Sequence, residues 1–211
     1  VEQFPTIQFF RTVPMLSLVR FARWEVILSE PEPHAPFAFA RAIWHYGRGV
    51  AYAAMENEDA ALNELAAIER LEPEVDEIFM GNVYPAKNLL AIAKSLLRGE
   101  IAFRSGAMAA AVVSFEEAVA MQDALPYTEP PFWYYPTRQS LGAALLAEGR
   151  AAEAQLVFEA DLEQYPMNGW SLYGLTEALS TQGHTALAEA ARLRFEAVWQ
   201  FSDVTLSTSV L

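Results

Sequence analysis

Small and large apolar residues recur along the chain at a spacing of 34 residues, a period typical of paired-helix repeats. Gly149 and Ala154 are followed at that spacing by Gly183 and Ala188. A glycine in a turn supplies the positive φ that ends one helix, and an alanine early in the next helix allows a close crossing. The pattern therefore predicts consecutive helix–turn–helix units.

The same columns can be followed upstream of Gly142. Gly99 matches Gly142, and the turn, small and large positions continue as Gly106/Gly149, Ala111/Ala154 and Phe115/Phe158. The earliest clear unit carries Gly49, Tyr52 and Ala61 in this register. The register predicts a degenerate unit at 8–36, repeats at 42–73, 92–125, 135–168 and 169–202, inserts at 74–91 and 125–134, and a tail at 203–211.

The 34-residue pattern is clearest in residues 135–168, which read YPTRQSLGAALLAEGRAAEAQLVFEADLEQYPMN. This 34-residue pattern resembles the tetratricopeptide repeat family. The resemblance is good at 43–73 and 92–123, weaker at 169–201, and weakest at 8–33, where Pro31 and Pro33 shorten the second helix. It implies an all-α fold, a right-handed helix–turn–helix superhelix of about ten helices.

A narrower resemblance lies in the run YTEPPFWYYPTRQSLGAALLAEGR, followed by NGWSLYGLTEAL. These segments are similar to the C-terminal part of a group of larger bacterial tetratricopeptide repeat proteins. In that group further repeats with histidine-containing motifs lie upstream, and those motifs do not occur in this sequence. The first residue, Val1, is not methionine, which indicates a piece processed or excised from a longer protein.

The second insert is rich in proline and aromatic residues, reading PYTEPPFWYYP at 126–136. Its four prolines exclude a helix and favour an extended conformation. Two interpretations stay open for Trp133, Tyr134 and Tyr135. They form a lid or wall over a binding groove, or they bury against the third and fourth repeats and seal the gap that the insertion leaves. Glu129 of the same insert is a further candidate binding residue.

The first helix of each unit lines the concave face in the tetratricopeptide family. By that resemblance the face carries aromatic, acidic and few basic residues: Tyr46, Glu100, Phe103, Arg104, Gln139, Trp170, Tyr173 and Glu177. Family members that clamp a terminal carboxylate use lysines, an arginine and asparagines here, so Arg104 alone does not predict such a clamp. The groove suits an apolar or basic extended segment, unless the inserts fill it.

Composition and charge narrow the function further. A net charge of −13 disfavours nucleic acid and anionic membrane surfaces as partners. The sequence has no cysteine, and its three histidines, His34, His45 and His184, show no metal-ligand spacing. With no phosphate-binding glycine loop or nucleophile elbow either, we expect no enzyme activity, no cofactor and no metal. The acidic stretch 56–77 is interpreted as a solvated face.

The most direct functional prediction is a non-catalytic scaffold that binds a protein or extended peptide. A second hypothesis makes this chain the C-terminal portion of a larger cofactor-binding protein or enzyme whose chemistry lies upstream. A third is self-assembly, or coverage by upstream repeats, through the apolar N-terminal face that includes Phe10, Leu16, Val19 and Phe21. No apolar stretch reaches the length of a membrane span. Cytoplasm and periplasm both fit the composition. The tail, SDVTLSTSVL, is a disordered end, an added strand or a segment docked into a neighbour's groove.

Overall fold

The computed structural model describes residues 7–75 and 84–210, and over these ranges the regular structure is helical. The helices are α1 (Ile7–Arg20), α2 (Trp24–Ser29), α3 (Ala38–Ala54), α4 (Glu58–Leu71), α5 (Ala86–Arg104), α6 (Met108–Asp123), α7 (Arg138–Ala147), α8 (Ala151–Gln164), α9 (Gly169–Thr181) and α10 (Thr185–Trp199). A short 3-10 helix, Glu72–Glu74, follows α4. The predicted all-α class is confirmed.

The chain divides into two compact units, Val1–Tyr135 and Pro136–Leu211, each built from helices that pack on their neighbours in sequence. In unit 1, α3 packs against α4 and also against α1 and α5, and α5 packs against α6. In unit 2, α7 packs against α8 and α9, and α9 packs against α8 and α10. Such contacts between adjacent and next-but-one helices are typical of helical repeats.

The turns inside the helix pairs share one conformation. In the turns after α5, α7 and α9, the second residue beyond the helix is Gly106, Gly149 or Gly183, with φ of +83°, +83° and +75°. The same position after α3 is Glu56, with φ of 60°, and after α1 it is Ala22, with φ of 51°. The predicted glycine turn is confirmed at three pairs, and two earlier pairs keep it without glycine.

Helical glycines let a large side chain approach the neighbouring backbone. In unit 2 a Cβ atom added at Gly142 of α7 or at Gly174 of α9 would overlap the ring of Phe158, which comes from α8 and is fully buried. In unit 1, Gly99 makes the same space for Phe115. The glycine and aromatic columns of the repeat therefore correspond to one packing arrangement that is used twice.

The first insert differs from its predicted bounds, whereas the first unit and the second insert agree with the expectations from their prolines. The insert expected at 74–91 is shorter, because α5 already begins at Ala86, directly after Pro85 at its N-cap. The second helix of the first unit is only Trp24–Ser29, as the prolines after it predict. In the second insert, no residue from 125 to 136 is helical, which confirms the prediction made from its prolines.

Candidate functional site

The aromatic face of unit 1, defined here as Tyr46, Trp133, Tyr134 and Tyr135, joins the second insert to α3. The Tyr46 and Tyr134 hydroxyl oxygens lie 3.0 Å apart. The Trp133 ring meets the Tyr46 ring edge-on, with centroids 5.6 Å apart, and only 3% of Trp133 is exposed. The insert is packed, but its rings lie on α3 of the repeat 42–73 and not on the third and fourth repeats that were expected.

Further contacts fasten the insert along its length. Gln122 Nε2 of α6 donates to the carbonyl oxygen of Tyr135 at 3.0 Å. The Arg20 guanidinium lies over the Tyr135 ring, 5.2 Å from its centroid. Phe132 meets Tyr84 edge-on at 5.5 Å between centroids. The insert is therefore held by α1, α6 and Tyr84, which lies two residues before α5, as well as by α3.

The charged residues predicted for this surface are Glu100 and Arg104. Their nearest charged atoms are 3.8 Å apart, and 16% of the Glu100 side-chain surface is exposed. Burial raises the pKa of Glu100, although Arg104 acts in the opposite direction. Burial is also the largest cause that raises the pKa of Tyr46 and Tyr134, and the Glu100 carboxylate adds to it in both cases. Both hydroxyls are therefore neutral hydrogen-bonding groups over the physiological pH range.

Two predicted residues lie outside the buried part of this face. Glu129 is exposed and accepts a hydrogen bond from the Tyr127 hydroxyl at 2.7 Å. Phe103 is half-buried near the end of α5, with the Arg104 guanidinium 5.9 Å from its ring centroid.

In unit 2 the chain's own non-helical segment, residues 203–210, contacts the N-terminal end of α7. Ser209 Oγ donates to the carbonyl oxygen of Gln139 at 2.9 Å. Only 1% of Ser209 and 7% of Leu206 are exposed, whereas Thr205 and Ser207 are exposed. The structure has none of the three predicted arrangements in full, because the segment docks on the chain's own α7 and not in a neighbour's groove.

The segment is also held where it leaves α10. Trp199 Nε1 donates to the carbonyl oxygen of Val204 at 2.7 Å. With the Ser209 bond, the segment 203–210 runs from the C-terminal end of α10 to the N-terminal end of α7. The two residues that the second bond joins, Ser209 and Gln139, are 70 positions apart in sequence.

The side-chain amide of Gln139 differs from its main-chain carbonyl in its hydrogen bonding. The residue is completely buried, and neither its amide nitrogen nor its amide oxygen has a hydrogen-bond partner among the described residues. Leaving buried polar groups unpaired costs about 1–3 kcal/mol each. The one predicted groove residue on α7 therefore holds an unused donor and acceptor.

The predicted groove residues of α9 belong to an aromatic cluster with α10. The Trp170 and Trp199 rings meet edge-on at 4.7 Å between centroids, and Tyr173 meets Phe195 at 5.5 Å. All four rings are half-buried. Glu177 is exposed and, after burial, is the second cause that raises the pKa of Tyr173. Through this cluster Trp170 and Tyr173 lie near Trp199, the residue that hydrogen-bonds to the segment 203–210.

A cluster of charged side chains between α3 and α4 was not singled out by the sequence. Glu64 lies with one carboxylate oxygen 2.5 Å from His45 Nδ1 and the other 2.8 Å from Arg48 Nε. Burial acts to raise the pKa of Glu64, but the hydrogen bonds from His45 and Arg48 outweigh it and the pKa is lowered. Glu69 and Glu72 pair with Arg98 and Lys94 of α5. The acidic stretch is thus partly an ion-pairing surface, contrary to the solvated face expected.

Unit 1 also contains a cavity of about 260 Å³ between α1, the segment 30–34 and α3. Its walls combine apolar and charged side chains, among them Met15, Leu18, Trp44, Arg11, Glu30 and His34. The Trp44 indole nitrogen donates to the carbonyl oxygen of Glu30 at 3.0 Å, which fixes this segment beside α3. The repeat pattern gave no signal for this cavity, because the proline-rich segment lies outside the repeat columns.

Comparison with known proteins identifies no relative of this chain. The chain has no significant match among models of protein families, curated proteins or solved structures. Among the helices of residues 7–75 and 84–210, none combines the length and apolar character needed to cross a lipid bilayer. In the same ranges no three His, Asp or Glu side chains are grouped as a metal ion would require.

Proposed function

We propose that this protein is a non-catalytic helical-repeat module of the tetratricopeptide type that binds an extended segment of a protein partner at α7 of unit 2. The right-handed superhelix implied by the family resemblance is part of this proposal. The repeated turn conformation and the glycine–phenylalanine packing support the repeat assignment. The observation that carries the binding function is the extended segment 203–210, which already lies on this surface.

The surface suits an extended chain because it engages both main-chain and side-chain groups. The Trp199 indole donates to a main-chain carbonyl of the segment, while the Gln139 carbonyl accepts from a side-chain hydroxyl. Between these bonds Leu206 is buried as an apolar anchor. Extended peptides are recognised in this way, with hydrogen bonds that set the register and a few buried anchors that supply affinity.

Direct binding of a labelled peptide tests this proposal. The probe is a fluorescein-labelled peptide of residues 201–211, and the readout is fluorescence anisotropy. Leu206→Asp places a charge at the buried anchor and releases the chain's own segment. We expect saturable binding of the peptide to this variant, and little binding of a peptide with the same residues in scrambled order.

Leu156→Asp is the matched control, because Leu156 lies in the same unit and is 64% exposed. This control should bind the peptide no better than the unmodified protein. Circular dichroism checks that both variants keep their helical content. Absence of saturable binding to a folded Leu206→Asp protein would overturn the proposed function.

A second candidate function, self-association, is favoured by one face of α1. Two residues of this helix, Phe10 and Val13, lie three positions apart on one side and are 62% and 45% exposed. Phe21, just beyond the helix, is 53% exposed. Leu16 and Val19, predicted for the same apolar face, are instead buried within unit 1. Native mass spectrometry of a Phe10→Glu, Phe21→Glu variant tests this candidate. A dimer in the unmodified protein that becomes a monomer in the variant, but not in the Phe201→Glu control, supports it.

A further inference from the structure

We propose that the segment 203–210 is an intramolecular competitor of the partner, and that the partner carries a segment with an aliphatic residue followed three positions later by serine or threonine. This inference rests on the proposed function, since it names the partner class and the regulation of the same surface.

The spacing comes from which residues of the segment are buried. Leu206 and Ser209 are at most 7% exposed, while Asp203, Thr205 and Ser207 are exposed. The two buried positions lie three residues apart, and one is aliphatic and the other a hydroxyl donor. A charged side chain at either position would be desolvated without an opposite charge, which is costly. The surface therefore selects an aliphatic–x–x–hydroxyl pattern with no charge at the two buried positions.

The segment's own fit to the surface is incomplete. Ser209 hydrogen-bonds the main-chain carbonyl of Gln139, but the buried amide of the same residue has no partner. The segment is held by two hydrogen bonds and one buried aliphatic side chain, few enough contacts for a ligand to replace. Its advantage over a free ligand is that it is tethered to α10.

The tether determines how strongly the segment competes with a free peptide. A short tether gives an effective concentration in the millimolar range, so the covered state is favoured even when the contacts are few. A free peptide then shows an apparent affinity reduced by the fraction of molecules in which the surface is open. Weakening the tethered segment must strengthen binding of the free peptide by the same factor.

Two serine substitutions in the segment provide the test, with the labelled peptide of residues 201–211 as the probe. Ser209→Ala removes the hydrogen bond to Gln139, and Ser207→Ala is its matched control at an exposed position. We expect the Ser209→Ala protein to bind the unmodified peptide roughly fivefold more tightly than the unmodified protein does, the factor of one neutral hydrogen bond. The Ser207→Ala protein should show no change.

Changing the peptide instead of the protein gives the opposite result. On the Leu206→Asp protein, a peptide with alanine at the position of Ser209 should bind roughly fivefold more weakly. A peptide with aspartate at the position of Leu206 should lose binding.

The outcomes separate the two proposals. If no folded variant binds any peptide, the proposed function fails. If the Leu206→Asp protein binds the peptide but the Ser209→Ala and Ser207→Ala proteins do not differ, the function stands and the competition is wrong. Equal affinity for peptides with and without the two anchor residues would overturn the proposed partner class.

Discussion

The hydroxyl oxygens of Tyr46 and Tyr134 lie 3.0 Å apart, linking the middle of α3 to an insert 88 residues further along the chain. Replacing Tyr134 with phenylalanine removes this hydrogen bond and should lower the free energy of unfolding by about 1 kcal/mol near neutral pH. Urea unfolding measures the change. Tyr127→Phe is the control, because Tyr127 is 83% exposed and its loss should have little effect.

The same pair makes stability depend on alkaline pH. Burial raises the pKa of both hydroxyls, so the folded protein keeps these protons above about pH 10, where unfolded tyrosines lose them. The folded state then binds more protons than the unfolded state, and the free energy of unfolding falls as the pH rises. Tyr134→Phe should make this fall less steep. A fall of equal slope in both proteins contradicts the assignment.

Trp133→Ala distinguishes a packed insert from a mobile lid. Because Trp133 is 3% exposed and packs on Tyr46, its removal should lower the free energy of unfolding by about 3–5 kcal/mol. Trp133→Phe should retain a large part of that stability. A loss below about 1 kcal/mol, measured by urea unfolding, would show that the ring contributes little to the core.

Glu64 gives a dependence on acidic pH. Its pKa is lowered in the folded protein, so its contribution is present above the unfolded value of about 4.3 and is lost as the pH falls through the folded pKa. Glu64→Gln should destabilise the protein by about 2 kcal/mol at neutral pH, and the two melting curves should converge in acid. Glu69→Gln, whose carboxylate is in an exposed ion pair with Arg98, should change stability by less than about 1 kcal/mol.

The shared turn conformation predicts opposite changes in stability for substitutions at two equivalent turn positions. Gly149 has φ of +83° and open space around its Cβ position, so Gly149→Ala should cost about 1 kcal/mol through backbone strain alone. Glu56 occupies the same position with φ of 60°, so Glu56→Gly should stabilise the protein by about 0.5–1 kcal/mol. Glu56→Ala separates loss of the charge from relief of the strain. Thermal unfolding of the three variants provides the comparison.

The helix pairs were predictable because their determinants are local. Gly149 and Gly183 mark turns by their own conformational preference, and Ala154 and Phe158 repeat at a helical spacing that any helix pair must satisfy. The segment 125–136 could be excluded from helix because its prolines lack the amide hydrogen that a helix requires.

The contacts of the two non-helical segments could not be predicted in this way. The Tyr46–Tyr134 and Ser209–Gln139 hydrogen bonds join residues 88 and 70 positions apart, and no repeat column relates them. Composition around Glu64 indicated a solvated acidic face, whereas its partners come from α3, a different helix. Burial at these places is decided by which chain segments meet, which periodicity does not encode.

The most direct test of an occupied peptide-binding surface uses the absence of cysteine from the sequence. Single thiols at the buried and exposed serines, Ser209→Cys and Ser207→Cys, are labelled with a thiol-specific reagent. We expect the thiol at 209 to react roughly tenfold or more slowly than the thiol at 207, because it reacts only when the segment opens. Adding the peptide of residues 201–211 should accelerate labelling at 209 and leave 207 unchanged. Equal rates at the two positions, or a rate at 209 that the peptide does not alter, would contradict an extended-chain site on α7 that the segment 203–210 covers.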